Sequence, residues 1–148
     1  MDVVTDTSVL IAVLTSAAEK DALVDITRNS GIIAPASVHW EIGNAFSSLL
    51  KRRLITPLEV AEALEAYEDI PIRFVDVDLS DSLQIAAELS IYAYDAYLIA
   101  CARQHNAPLL TLDRGLGRAA SGSAWKSWRS RENLYLFGST TESRQPSR

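Results

Sequence analysis

Four carboxylates in this chain stand where short apolar runs give way to helical stretches. Asp6 directly follows Val3-Val4-Thr5, and Asp113 directly follows the apolar run from Ala107 to Leu112. Asp95 opens the most apolar helical stretch, and Glu41 lies in the first turns of another, with Asn44 and Ser48 on its face at i+3 and i+7. In an open parallel α/β sheet the carboxyl ends of the strands share one edge, and ligands bind along it. Four acids gathered there repel, at about 3 kcal/mol for each ionised pair about 5 Å apart in an effective dielectric of about 20. Divalent cations that prefer oxygen ligands, Mg²⁺ or Mn²⁺, relieve such a cluster. A carboxylate set without His or Cys suits metal-assisted phosphodiester hydrolysis. Each residue also fits a plainer role: Asp6 and Asp95 as helix N-caps, Asp113 in Asp-Arg-Gly as a turn residue, Glu41 as a solvated helix residue.

The segments that must position these acids alternate between strand-like and helix-like, the pattern of an α/β fold with a largely parallel sheet. Val3 to Thr5, Ile32 to Ala34, Ile72 to Val77 and Ala107 to Leu112 read as strands. Helices are expected from Ser8 to Ala17, from Glu19 to Thr27, and from Ser37 to Leu54 with Ser37 as its cap. Thr56-Pro57-Leu58-Glu59 combines a capping box with a first-turn proline and opens a helix to about Asp69. Ser80 or Asp81 starts another, through Leu89. The stretch from Asp95 to Gln104 is apolar almost all round, so its helix belongs in the centre. Cys101 within it reads as core packing. His39 and His105 show no ligand spacing and read as surface residues.

Composition narrows the classes. The chain has 148 residues, 48% hydrophobic and 22% charged, which is ordinary globular usage for one domain. No apolar run reaches 18 residues, so no membrane partner is expected, and the opening lacks a signal-peptide pattern. One cysteine excludes an intramolecular disulfide framework, and the expected location is cytoplasmic. The net charge of −5 is unevenly placed: residues 1–113 hold 7 Lys/Arg against 17 Asp/Glu, and residues 114–148 hold 7 against 2. An acidic body argues against a non-specific nucleic-acid binder and suits a protein that concentrates cations or docks a basic partner.

The order and spacing of four segments resemble the PIN-domain ribonucleases, specifically VapC-type toxins of toxin–antitoxin pairs. They are VVTDTSVLIAVL at 3–14, PASVHWEIGNAF at 35–46, YDAYLIACA at 94–102 and LLTLDRGL at 109–116. With the connecting helices the resemblance covers about residues 1–120. It implies a PIN-like three-layer sandwich, a short and mostly parallel sheet flanked by helices. It also implies an endoribonuclease that uses Mg²⁺ or Mn²⁺. Carried over by position, Asp6, Glu41, Asp95 and Asp113 match the catalytic and metal-binding quartet, and Ser8, Asn44 and Thr111 match supporting polar positions. Arg114 and Arg118, following Asp113, are candidates to meet the RNA. A homodimer and a cognate antitoxin are implied as well, with the Trp40/Phe46 helix and the helix at 57–69 as docking surfaces.

The chain departs from that pattern after Ala120, where relatives finish a helix, pass a glycine and close with an apolar strand. Here residues 121–148 form a Ser/Trp/Arg-rich segment. In it ENLYLFGS looks like a degraded tag-cleavage site, which points to an engineered scar or an altered reading frame. Asn133 to Phe137 is a candidate terminal strand, and Ser139 to Arg148 is expected to be a disordered tail. Two other functions remain open at this point. One is a catalytically idle partner-binding module. The other is a Mg²⁺-dependent phosphatase of the haloacid-dehalogenase type with Asp6 as nucleophile, which is the poorer fit because that group places a second Asp where this chain has Ser8.

Overall fold

The computed structural model describes residues 1–122, and beyond them the backbone of two strands at 126–131 and 134–138. In chain order the elements are β1 (Asp2–Thr5), α1 (Thr7–Leu14), α2 (Lys20–Thr27), β2 (Gly31–Pro35), α3 (Ser37–Lys51), α4 (Pro57–Glu68) and β3 (Ile72–Val75). They continue with α5 (Leu79–Leu89), α6 (Ala93–Gln104), β4 (Leu109–Thr111), α7 (Arg114–Gly122), β5 (Lys126–Arg131) and β6 (Leu134–Gly138). The sheet order is β3-β2-β1-β4-β6-β5. The first four strands in that order are parallel, and β6 and β5 close one side as antiparallel partners.

Alternation along the strands explains why helices cover both faces. In β1, Val3 packs with Val9, Ala12 and Leu23 of α1 and α2, whereas Val4 joins the larger core built from α3 to α7 together with Leu10 of α1. In β4, Leu110 faces the smaller cluster and Leu109 the larger. Successive strand residues point to opposite faces, so two adjacent apolar residues in each central strand require cover above and below. The result is the expected α/β sandwich. α6 is its central helix, with Ala96 and the run Leu98 to Ala102 buried. No single helix among the described residues is long and apolar enough to cross a membrane.

Several boundaries differ from the sequence expectation for identifiable reasons. α6 begins at Ala93 with Tyr92 as its cap, so Asp95 is a first-turn helical residue rather than the cap. α3 leaves β2 with no extended residue between them. Ala36 is already helical, and Ser37, expected as the cap, has a buried hydroxyl without a partner. α5 starts at Leu79 and is capped by Asp78, which accepts from the Asp81 amide, in place of Ser80 or Asp81. On α3, the helix expected to offer a docking surface, Phe46 is not available for docking: with Val38 and Ile42 it forms the buried stripe that their helical spacing predicts, while Trp40 is exposed. The C-terminal strand is present at Leu134–Gly138 and pairs with β4 through Leu110 and Leu136. A second strand, β5, precedes it where none was expected. Asn133 and the tail from Ser139 to Arg148 lie outside the described residues.

The capping box at Thr56 is formed in both directions: its hydroxyl accepts from the Glu59 amide at 3.2 Å, and its amide donates to the Glu59 carboxylate at 2.8 Å. Thr56→Ala is expected to lower stability by about 1 kcal/mol, as loss of a cap does. Urea denaturation should then show a lower midpoint with an unchanged slope.

Candidate active site

β1 is the strand at which the chain's winding reverses, since β2 lies on one side of it and β4 on the other. A crevice opens at such a point beyond the carboxyl ends of the two diverging strands. Thr5 stands beside Leu110 in register, so Asp6 and Thr111, each one residue further on, meet at the mouth of that crevice. The Thr111 hydroxyl donates to Asp6 Oδ2. On the other carboxylate oxygen, Asp6 Oδ1 accepts from the Ser8 hydroxyl at 2.6 Å and from the Val9 amide at 3.1 Å.

The same two hydroxyls reach across to the loop after β4. Ser8 Oγ accepts from the Leu112 amide at 3.0 Å, and Thr111 Oγ1 accepts from the Asp113 amide at 2.9 Å. Asp113 Oδ1 accepts from the amides of Gly115 and Leu116, capping α7. Asp6 is likewise the N-cap of α1. The cap and turn roles open in the sequence are therefore real for these two residues, and they fix both carboxylates at the crevice.

Glu41, on the second turn of α3, accepts at Oε2 from the Thr7 hydroxyl at 2.8 Å, which ties α3 to the start of α1. Its other oxygen, Oε1, is buried and has no hydrogen-bond partner. Asp95 is half-buried on the first turn of α6. Burial pushes its carboxyl above the usual range, and the charges of Asp113 and Glu41 push it further the same way. Asp6, only 4% exposed, is pushed up to about 6, chiefly by burial. Its three hydrogen bonds pull in the opposite direction, and the Asp113 charge adds to the rise. Electrostatics thus links Asp6 to Asp113, and Asp113 and Glu41 to Asp95.

Oxygen-only donors, an excess of negative charge and one orphaned buried oxygen on Glu41 fit a hard cation. Among the described residues no three His, Cys, Asp or Glu side chains stand close enough to enclose an ion by themselves. A Mg²⁺ site does not require that, because the ion keeps several waters and takes only one or two carboxylates directly. Asp6 Oδ2 carries one hydrogen bond and so retains a lone pair for such a role.

The remaining sequence candidates fall into two groups. Ser8 and Thr111 are in the network described above. Asn44 is exposed one turn along α3 from Glu41, and Arg114 and Arg118 are exposed on the first turns of α7. Thr7 was not anticipated; its partner is 34 residues away, and no spacing rule connects them. His39 is at the surface as expected, with its ring within hydrogen-bond distance of the Tyr67 hydroxyl, 3.0 Å, and against Phe74. Cys101 is fully buried, with its thiol pushed up to about 12, as a core residue should be. A hollow of about 700 Å³ lined by residues of α5 and α6 contains none of the four carboxylates.

Fold and site together define an α/β protein with an acidic crevice at the reversal point of its sheet. The PIN domain family model matches residues 3–122, and the chain belongs to that family, whose members are generally nucleases. Two solved structures share the fold. PAE2754 from Pyrobaculum aerophilum is 21% identical over 80% of this chain and 86% of its own, with a TM-score of 0.61. VapC20 from Mycobacterium tuberculosis, a toxin that cleaves the sarcin–ricin loop, is 19% identical over 72% of this chain and 85% of its own, with a TM-score of 0.51. No curated protein matches the chain significantly.

The raised Asp6 carboxyl sets a sign for pH dependence in the metal-free protein. Between pH 3.8, the ordinary value, and about 6 the folded state binds more protons than the unfolded one, so stability falls as pH rises through that window. In chelator at pH 7.5, Asp6→Asn should be more stable than the parent by up to about 3 kcal/mol. The gap should close as the pH is lowered toward 4. Thermal melts of both proteins across that range check it, and a gap that widens in acid would contradict the buried-charge account.

Proposed function

We propose that this chain is a metal-dependent endoribonuclease that acts as the toxin of a toxin–antitoxin pair. The observation that carries the catalytic part is the buried Asp6 carboxylate, held by three donors in the crevice and electrostatically joined to Asp113, which together with Glu41 acts in turn on Asp95. Capping accounts for Asp6 and Asp113, but not for the charges of Asp113 and Glu41 bearing on Asp95, whereas cation-assisted hydrolysis calls for such a cluster. The toxin part takes its support from the family and from the likeness to VapC20.

Asp6, Glu41, Asp95 and Asp113 are the groups that would hold Mg²⁺ or Mn²⁺. Bound there, the ion supplies Lewis acidity, making water a stronger nucleophile and offsetting charge on the phosphate and leaving oxygen. The protein's share is positional. Ser8, Thr111 and the Val9 amide favour the anionic form of Asp6 against burial and aim it into the crevice, and Thr7 holds Glu41 in place. Arg114 and Arg118, exposed on the helix that Asp113 caps, are the cations that would oppose the repulsion between an acidic rim and an approaching phosphate. The phosphatase alternative needs a phosphorus to reach Asp6 in line, which 4% exposure opposes. A homodimer, an antitoxin covering the crevice and a cytoplasmic location complete the reading.

Calorimetric titration of Mn²⁺ into metal-stripped protein should show binding that Asp95→Asn loses. Cleavage of RNA should stop on chelation. Asp6→Asn, which caps α1 as well as Asp does, should lose activity by at least about a hundredfold, the order lost when one transition-state stabiliser is removed. Full activity in Asp6→Asn would overturn the mechanism. Absence of Mn²⁺ binding by the folded parent would leave the idle-module reading in front.

A further inference from the structure

Next to the carboxylates, at the starts of α3 and α6, lies a hollow of about 420 Å³ lined by Thr7, Trp40, Glu41, Asn44, Ala45 and Tyr94. Two of these are large aromatic rings that the core does not use: Trp40 is 75% exposed and Tyr94 is 59% exposed. Both rings are nonetheless braced. Trp40 meets the His39 imidazole at 4.9 Å and 78°, and His39 is itself held by Tyr67 and Phe74. Tyr94 meets Tyr97 at 5.8 Å and 82°. A T-shaped contact occupies one edge or one face of a ring, so each ring keeps a π-face that this contact does not cover. Asn44 adds an amide with both donors and an acceptor, and Glu41 connects the hollow to the acidic crevice.

A ligand for this hollow is flat and aromatic, carries polar edges, and has no negative charge of its own to set against Glu41. A phosphate fails that description and a nucleobase meets it. We infer that Trp40 and Tyr94 form a stacking subsite for one unpaired base of the RNA, in the nucleotide beside the bond to be cut, with Asn44 on the base edge. The inference takes its ligand from the nuclease reading. A base within a duplex is already stacked and paired, so the subsite selects single strands, loops and bulges. Stacking tolerates any base, because every base has a π-face. Aromatic rather than cationic contacts also suit a rim that is acidic, since stacking does not depend on attracting phosphate.

The test uses the full chain and a short fluorescent RNA with methylphosphonate linkages, which carry no charge and resist cleavage. Anisotropy titrations in chelator then read base recognition apart from the phosphate and the metal. The parent should bind the single strand at least about tenfold more tightly than a duplex of the same sequence, and Trp40→Ala and Tyr94→Ala should each weaken single-strand binding about tenfold, the scale of one stacked base. Trp40→Phe should restore most of the loss. Because both rings are exposed, thermal melts of the variants should match the parent. Equal affinity of Trp40→Ala and parent, or of duplex and single strand, or no binding by the parent, would overturn the subsite. Mn²⁺ titration and RNA cleavage separate the two readings. A parent that binds Mn²⁺ and cuts RNA, but binds the probe no better than Trp40→Ala, loses only the subsite. A parent that stacks the probe and never cuts loses only the nuclease.

Discussion

A carboxylate that is 4% exposed is stable as an anion only if its surroundings replace the water it has lost. Asp6 meets that condition in part, with two hydroxyls and one amide, and the two hydroxyls do more than solvate it. Ser8 and Thr111 each give a proton to Asp6 and accept one from the backbone after β4. The end of β1 and the end of β4 are therefore joined through the Asp6 side chain as well as through the sheet. The crevice, the placement of Asp113 and the start of α7 all depend on that junction. Replacing either hydroxyl would disturb the charge on Asp6 and the loop that carries Asp113 together.

The compensation is partial. Hydrogen bonds lower the Asp6 carboxyl and burial raises it more, and Asp95 carries a second elevated carboxyl from burial and from two neighbouring charges. Glu41 keeps one buried oxygen without a partner. A protein selected for stability alone would not assemble these three features at one edge, because each leaves polar or charged groups under-satisfied in a low dielectric. A cation and its waters, as proposed above, would supply what is missing. The same acidity bears on the proposed RNA substrate: a polyanion approaching this rim gains little from long-range attraction, which gives short-range contacts such as the proposed stacking on Trp40 and Tyr94 a larger share of the recognition.

Much of the local structure was legible because its causes are local. The Thr56 capping box, the proline that follows it and the 3.6-residue stripe of Val38, Ile42 and Phe46 involve residues within one or two turns of each other. So do the caps at Asp6 and Asp113. The misjudged positions were those where a neighbouring element overrides the local pattern. Ser37 is a good cap by type but sits inside α3, because the chain turns from β2 into the helix at Ala36. Asp95 reads as a helix start, yet Tyr92 takes that place and leaves the carboxylate on the first turn, facing the charges of Asp113 and Glu41. The strand β5 had no apolar signature, and its pairing with β6 is a tertiary event.

The sequence by itself determined the alternation of strands and helices, the acidic body, the residue types of the site and their positions at element ends. Those follow from periodicity and from which side chains cap and turn a chain. Only the tertiary structure decided that β2 and β4 flank β1 on opposite sides, that Thr7 reaches Glu41, and that Trp40 and Tyr94 share a hollow with it. These are contacts between residues far apart in sequence. They are fixed by the packing of helices on two faces of one sheet, and no local pattern encodes the distance between two such residues.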